Sequence, residues 1–489
     1  MKSPLQGVGG KPNETMNFQA GAAQVDITPP LGTLINGDFI THYARYIHDP
    51  LYAKALVLQQ NNTLVALVMV DICAMPKDLV DEVKQLIQNQ TGIAPQNVLI
   101  ASTHTHAAGS VASLLLGAAD LPYRQKLPGF IVEAVVEATQ QLRPAKVGFG
   151  AVDVPEHVVC RRFFMKEGYA ARNPVTGGLD GVKTNPFGDE QQIDRRVVPI
   201  DPQVGFLAVK GLDDQWISVL ANYSLHYVGD WENGTITADY FGVFSDELRR
   251  QLGAGSAFVG MMSNGTSGEA NIWDFLDPDR YPKEHFAKSD LIGKDIASRV
   301  GEALQTVDWQ TNPDLFAHYA EVPTGVRKPS ADELETARSV VAVSHYEAIQ
   351  QVDADALHRI YAREQVLLND YPDTILFPVQ AIQIGTGQIG ALGGEFFAET
   401  GLWLKQNRSG NSYFTITMAN GYVGYVPPAH EIQRGGYETW RCRTSFLELS
   451  AEERIRTKLV DLLDKKELEF NAELSLDAPK SPKGDLDAA

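Results

Sequence analysis

Three cysteines, Cys73, Cys160 and Cys442, are all that this chain of 489 residues contains, too few and too scattered for a disulfide framework. Cys73 lies in an apolar run and reads as a buried thiol. No run reaches the roughly 18 apolar residues of a spanning helix. Positive charge is also scarce: 42 Lys and Arg stand against 61 Asp and Glu, a formal charge of −19. That argues against nucleic acid or an anionic membrane surface as the main partner, since both demand basic patches. Met1 to Asn17 is polar and Gly/Pro-containing, without the apolar core of a signal peptide or anchor. There are no internal repeats and no obvious linker. The expectation is a soluble protein, cytoplasmic or exported with its signal missing. Sequons such as Asn61-Asn62-Thr63 are weak evidence for glycosylation.

What is present is ample core material, with hydrophobic residues at 44%. Apolar runs alternate with amphipathic segments. Leu56–Leu58 and Leu64–Val70 read as a hairpin, Lys77 to Gln90 as a helix and Val98 to Ala101 as a buried strand. Gly129 to Leu142 reads as a helix and Lys146 to Val154 as a strand. Val204–Val209 and Trp216–Asn222 form a second hairpin, followed by a helix over Asp239 to Leu252 and a strand over Ser256 to Met262. Ala331 to Leu368 is mostly helical and highly charged. Strands at Val379–Thr386 and Phe414–Ala419 flank a helix near Phe396 to Gln406, and Ala451 to Lys465 is a last helix. Hairpins mixed with strand–helix units predict an α/β fold, a large mixed β-sheet core flanked by helices. We expect one domain over 19–470, a flexible segment over 1–18 and a frayed tail over 471–489.

The most informative motif is His104-Thr105-His106, just past the strand at Val98 to Ala101. In an extended chain residues i and i+2 point to the same side. Two imidazoles thus face one way where α/β sheets open onto their ligand crevice. They suit a metal ligand, or a ligand with a proton-transfer partner. Taken alone they read more readily as a pair of exposed or hydrogen-bonded strand-end histidines, because a metal site needs three or four converging ligands.

Other strand ends carry polar residues. His226 follows the strand at Trp216, although a histidine between Leu225 and Tyr227 is more often a core residue. Glu395 follows Gly393-Gly394, a glycine pair that leaves room for something to approach. It reads either as a helix-opening carboxylate or as a ligand. Tyr422 and Tyr425 lie among glycines after the strand at Phe414. The strand at Ser256 turns into the loop Asn264-Gly-Thr-Ser-Gly268-Glu-Ala-Asn271.

With these motifs in order, the sequence resembles the catalytic domain of the neutral (non-lysosomal) ceramidases, zinc-dependent amide hydrolases. The resemblance rests on Val25-Asp-Ile-Thr-Pro29, Ile47-His-Asp-Pro-Leu-Tyr-Ala-Lys-Ala-Leu56, Ala101-Ser-Thr-His-Thr-His-Ala107, and the loops at His226, Gly268, Glu395 and Tyr422 to Tyr425. It spans about residues 20 to 465. It implies one zinc ion per chain, with His104, His226, Glu395 and Tyr425 as ligands. His106 then lies beside the metal and contacts substrate, Arg161 helps bind the reacting carbonyl (Arg162 being the alternative), and Tyr422 lines the pocket. A metal-bound water is expected to attack a linear amide of a small N-acyl substrate.

Two departures bear on the substrate. The family's Gly-Asp-x-Ser-Pro-Asn loop appears here as Gly268-Glu-Ala-Asn271-Ile-Trp, so Asn271 stands where true ceramidases carry a catalytic serine. Asn271 can orient substrate by hydrogen bonds but cannot transfer protons. Glu269 reads as a solvated loop carboxylate or, less favoured, a replacement base. The chain also stops short of the immunoglobulin-like C-terminal domain of the lipid-cleaving members. Both departures predict a substrate other than ceramide. An ester or lactone hydrolase and a non-catalytic binding protein are the alternatives. His42, His48 and Asp49 are read as bordering the pocket or, equally, as a turn, His285 as a surface residue, Asp239 as a cap for the helix from Tyr240, and Trp273 and Phe275 as a substrate wall or core.

Overall fold

The computed structural model describes residues 18–465, apart from 36, 198 and 409–411. All but residue 18 of the expected flexible segment, and the whole of the expected tail, therefore lie outside the described residues.

Eight strands form the larger sheet: β1 (Gln19–Asp26), β2 (Tyr52–Gln60), β3 (Thr63–Val70), β4 (Val98–Ser102), β5 (Arg143–Asp153), β6 (Gln203–Gly211), β7 (Trp216–Tyr223) and β8 (Val259–Asn264). Their order is β8-β7-β6-β5-β1-β2-β3-β4. The pairs β3/β4 and β7/β8 are parallel and the rest antiparallel. A second sheet has the order β9 (Leu315–Gly325), β10 (Thr374–Ile384), β11 (Gly387–Leu392) and β12 (Ser412–Ile416), with β11/β12 parallel.

Alternation along the strands explains the layering. Leu56, Leu58, Leu207 and Val209 turn to one face and meet Ile382, Ile389, Phe414 and Ile416 of the second sheet in a shared core. The residues between them turn to the other face. There Ala55 and Val57 meet helices α1 (Lys77–Thr91) and α2 (Leu121–Gln140), while Phe206 and Ala208 meet α3 (Asp239–Gln251) and α4 (Ala287–Ala303). The second sheet's outer face is covered by the last helix, Ala451–Asp464, through Ile455, Leu459 and Leu462. The result is helices, sheet, sheet, helices, which bears out the expected α/β class with a large mixed sheet.

Two of the differences from expectation have clear physical reasons. Helix α2 begins at Leu121, eight residues before the expected start, because Asp120 caps it by accepting from the Tyr123 amide and the helix runs on through Pro128. Strand β9 was not anticipated. It is an edge strand, where Pro323 is tolerated and the apolar alternation is weak.

Strands β4 and β8 are the opposite edges of the large sheet, yet the segment after β12 joins them. Thr417 donates its amide to Asn264 O, Ser102 donates to Met418 O and Asn420 donates to Ile100 O. Met418 and Asn420 both take positive φ to do so. The carboxyl ends of all three parallel pairs thereby open onto one place.

Candidate metal centre

His104 leaves β4 with φ +74, a left-handed conformation that costs a non-glycine residue energy and is held by its surroundings. Its amide donates to Ile72 O at 3.1 Å, and its Nδ1 meets Cys73 O at 2.7 Å. His226, just past β7, sets its Nδ1 against Ser267 O at 3.1 Å. A carbonyl can only accept, so each Nδ1 carries a hydrogen, and a neutral ring keeps its lone pair on Nε2. Those two Nε2 atoms lie 3.2 Å apart. The Nε2 of His106 lies 3.2 Å from that of His104, and its ring stacks on Tyr227 at 3.7 Å.

Glu395 completes the cluster. Its Oε2 lies 3.5 Å from His104 Nε2 and 3.8 Å from His226 Nε2, and it is buried without a hydrogen-bond partner. Its Oε1 accepts from the Tyr422 hydroxyl at 2.8 Å. What approaches Gly393-Gly394 is the backbone after β12. A Cβ on Gly393 would lie 2.7 Å from Gly421 O, and one on Gly394 2.7 Å from Gly424 O. This contact pairs Glu395 with Tyr425 in register. Glu395 therefore sits in a two-residue bridge and does not open the helix that starts at Ala398.

Tyr425 Oη accepts from Arg161 Nη2 at 3.1 Å. Arg161 is fixed by Glu438 at 2.8 Å and by Gly268 O at 2.7 Å. Its neighbour Arg162 turns the other way, to Glu438, Glu431 and Gly435 O. Of the two arginines the sequence left open, Arg161 is the one that contacts Tyr425. His104, His106, Glu395, Tyr422 and Tyr425 line one cavity of about 30 Å3, closed by Leu114, Leu115 and Tyr437.

Asn271 is placed differently. It is buried, but its Oδ1 accepts from the Trp273 amide at 2.8 Å and its Nδ2 donates to Asn185 at 3.2 Å. It is not among the residues lining the cavity. Glu269 is not solvated either. It is buried and caps the helix from Ala398, accepting from the Ala398 amide at 2.9 and 3.0 Å. Asp239 is not the expected cap: the helix begins at Asp239 itself with Ala238 at the N-cap position, and its carboxylate takes the Tyr240 and Val228 amides; His285 is exposed.

The imidazoles do not titrate alike. Burial disfavours a charge on His104, but the adjacent Glu395 carboxylate outweighs it and holds His104 well above the usual range. Burial, then the positive charges around them, hold His106 and His226 well below it. Without a metal the positive charge beside Glu395 is a proton on His104, whose place a metal ion would take, while His106 and His226 stay neutral. Burial and Glu395 push the Tyr425 phenol up, against the pull of Arg161.

Sequence reasoning missed Cys73 O, Ser267 O, Glu438 and Tyr437. A backbone carbonyl leaves no side-chain signature. The parallel pairing of β3 with β4 does place residue 73 beside residue 104, and that pairing was the available signal.

The donor set fits a metal such as zinc: two imidazole nitrogens, each ring oriented by a carbonyl, and a buried carboxylate oxygen without a hydrogen bond. Fold and site together define an α/β protein with a candidate metal centre at its strand ends. Residues 18–270, more than half of the chain, match the family described as neutral/alkaline non-lysosomal ceramidase, N-terminal. The chain belongs to that family and is accordingly a hydrolase acting on an amide bond. Two solved structures are similar in fold: a ceramidase complexed with C2 and the neutral ceramidase of Pseudomonas aeruginosa. Each is 16% identical with a TM-score of 0.68, over 92% of this chain and 75% and 74% of those chains respectively. Among the described residues no helix is long and apolar enough to cross a membrane.

Proposed function

We propose that this chain is a zinc-dependent hydrolase of a linear N-acyl amide other than ceramide, with one zinc ion held by His104, His226, Glu395 and Tyr425. The single observation that carries the reading is Glu395 Oε2: a buried carboxylate oxygen without a hydrogen bond, facing the Nε2 atoms of two imidazoles whose Nδ1 atoms are already tied to carbonyls. Leaving such an oxygen unpaired costs about 1–3 kcal/mol or more, and a cation removes that cost.

Zinc in such a site acidifies water and polarises a carbonyl. The chain's own groups do the rest. The Cys73 and Ser267 carbonyls fix both imidazole tautomers, and Tyr422 orients the carboxylate. Arg161, held by Glu438, keeps a permanent positive charge at Tyr425, where an amide carbonyl can place developing negative charge. His106, neutral and stacked on Tyr227, is positioned to bind substrate or move a proton. Glu269 and Asn271 replace the family's aspartate and serine, and both are engaged in local structure. That supports a substrate other than ceramide.

The test is a panel of N-acyl amides, ceramide and carboxylic esters with zinc-loaded protein. Turnover of a simple N-acyl amide, abolished by Glu395→Ala, with ceramide untouched, is the expected result. Turnover of esters alone, or of ceramide as well as the amides, overturns the reading.

A further inference from the structure

The cavity at the candidate metal centre is about 30 Å3, the space of roughly one water molecule. Most of any substrate must lie elsewhere. A groove of about 660 Å3 adjoins it, and Leu114 and Tyr422 line both. That volume lies within the roughly 300–1,000 Å3 of small-molecule sites. A second large pocket, walled by Trp273 and Phe275, has no lining residue in common with the metal cavity.

We propose that the groove receives an anionic amphiphile, an N-acyl amino acid, with its amide at the Tyr422 threshold. This rests on the amide-hydrolase reading above and narrows its substrate. Two features of the groove select such a molecule. The first is uncovered apolar surface. Leu121 and Leu376 are 63% and 51% exposed there, beside Ile375 and Phe446, enough to hold an acyl chain. The second is charge. The lining includes Lys77, Arg124 and Arg443 and no acidic residue, in a chain of net charge −19.

The three cations have different roles. Arg443 is occupied: it binds buried Glu364 and the carbonyls of Ser113 and Leu115, which holds the loop carrying Leu114 in place. Arg124 pairs with Asp78 through one guanidinium nitrogen and donates to Val111 O through the other, and Lys77 pairs with Asp81 and with the less exposed Glu321. None of those acids lines the groove, and Asp78 and Asp81 are 74% and 51% exposed. Solvated pairs of that kind are worth about 0–1 kcal/mol, so a ligand carboxylate entering the groove can take over the two cations. A neutral lipid amide would leave them unused.

The experiment compares N-octanoylglycine with its neutral amide, N-octanoylglycinamide, on zinc-loaded protein. Binding is followed by calorimetry and hydrolysis by product release. The acid is expected to bind about tenfold more tightly at low salt, with the preference shrinking as salt rises. Arg124→Gln and, separately, Lys77→Gln should each erode that preference while binding of the neutral amide stays the same. Equal binding of the two ligands by the native protein, or a preference unchanged in both variants, overturns the proposal. Preferential binding of the acid without hydrolysis of either compound upholds the groove and instead contradicts the amide-hydrolase reading.

Discussion

His104 and His226 present their Nε2 atoms to each other at 3.2 Å across 122 residues of sequence, while each Nδ1 is tied to a backbone carbonyl. When both rings are neutral, with their hydrogens on Nδ1, neither Nε2 can donate to the other. Two lone pairs and a carboxylate oxygen then converge on a point that a proton on His104 or a bound metal ion satisfies. The fold creates this convergence by joining opposite sheet edges through Thr417–Asn420, so the two histidines are neighbours although their strands are not.

Tyr422 acts on the site through Glu395. Removing its hydroxyl frees Oε1 and lets the carboxylate rotate, so Tyr422→Phe should weaken metal affinity by about 10–100-fold. Overall stability should change by about 1 kcal/mol. Titration against a chelator measures the first and urea unfolding the second. Unchanged metal affinity would remove Tyr422 from the site.

Arg162 is expected to matter for stability alone. It is fully buried and satisfies Glu438 and Glu431. Arg162→Met leaves those carboxylates short of a partner in the interior, a loss of about 3–5 kcal/mol. Metal content of the folded fraction should be unaffected. Arg161→Met, by contrast, is expected to lower turnover at the same metal content, and equal effects of the two changes would contradict their separate roles.

Glu269 gives a pH dependence of known sign. Burial pushes its carboxyl up to about 8, against the Ala398 amide and Arg162. In the unfolded chain it ionises near its ordinary value of about 4.3. Between those values the folded state keeps a proton that the unfolded state has lost. The stability this group contributes is therefore complete below the unfolded value and lost as pH rises through 8. Glu269→Gln cannot ionise, so native stability should fall relative to the variant by at least about 1 kcal/mol between pH 5 and 9. Parallel stability curves would show that Glu269 is ionised in the folded state.

How far the sequence foretold this site depends on the kind of contact. His104, His106 and His226 were legible because strand ends can be read from apolar runs, and Glu395 because a glycine pair precedes it. The Arg161 or Arg162 ambiguity could not be resolved by reading, since neighbouring residues on a short strand swap faces with a one-residue shift. Glu269 looked solvated because polar loops usually are. Its burial follows from Gly268, where a Cβ would lie 2.9 Å from Glu395 O, and that packing is long-range. Local rules likewise gave no sign that Thr417–Asn420 bridges two sheet edges.

The most direct measurement is elemental analysis of the purified protein beside its His226→Ala variant. About one zinc per chain in the native protein, absent from the folded variant, is the expected result for a site built on the His104–His226 pair. A full equivalent of zinc retained by the variant, or none bound by the native protein after zinc is added back, would contradict the metal centre.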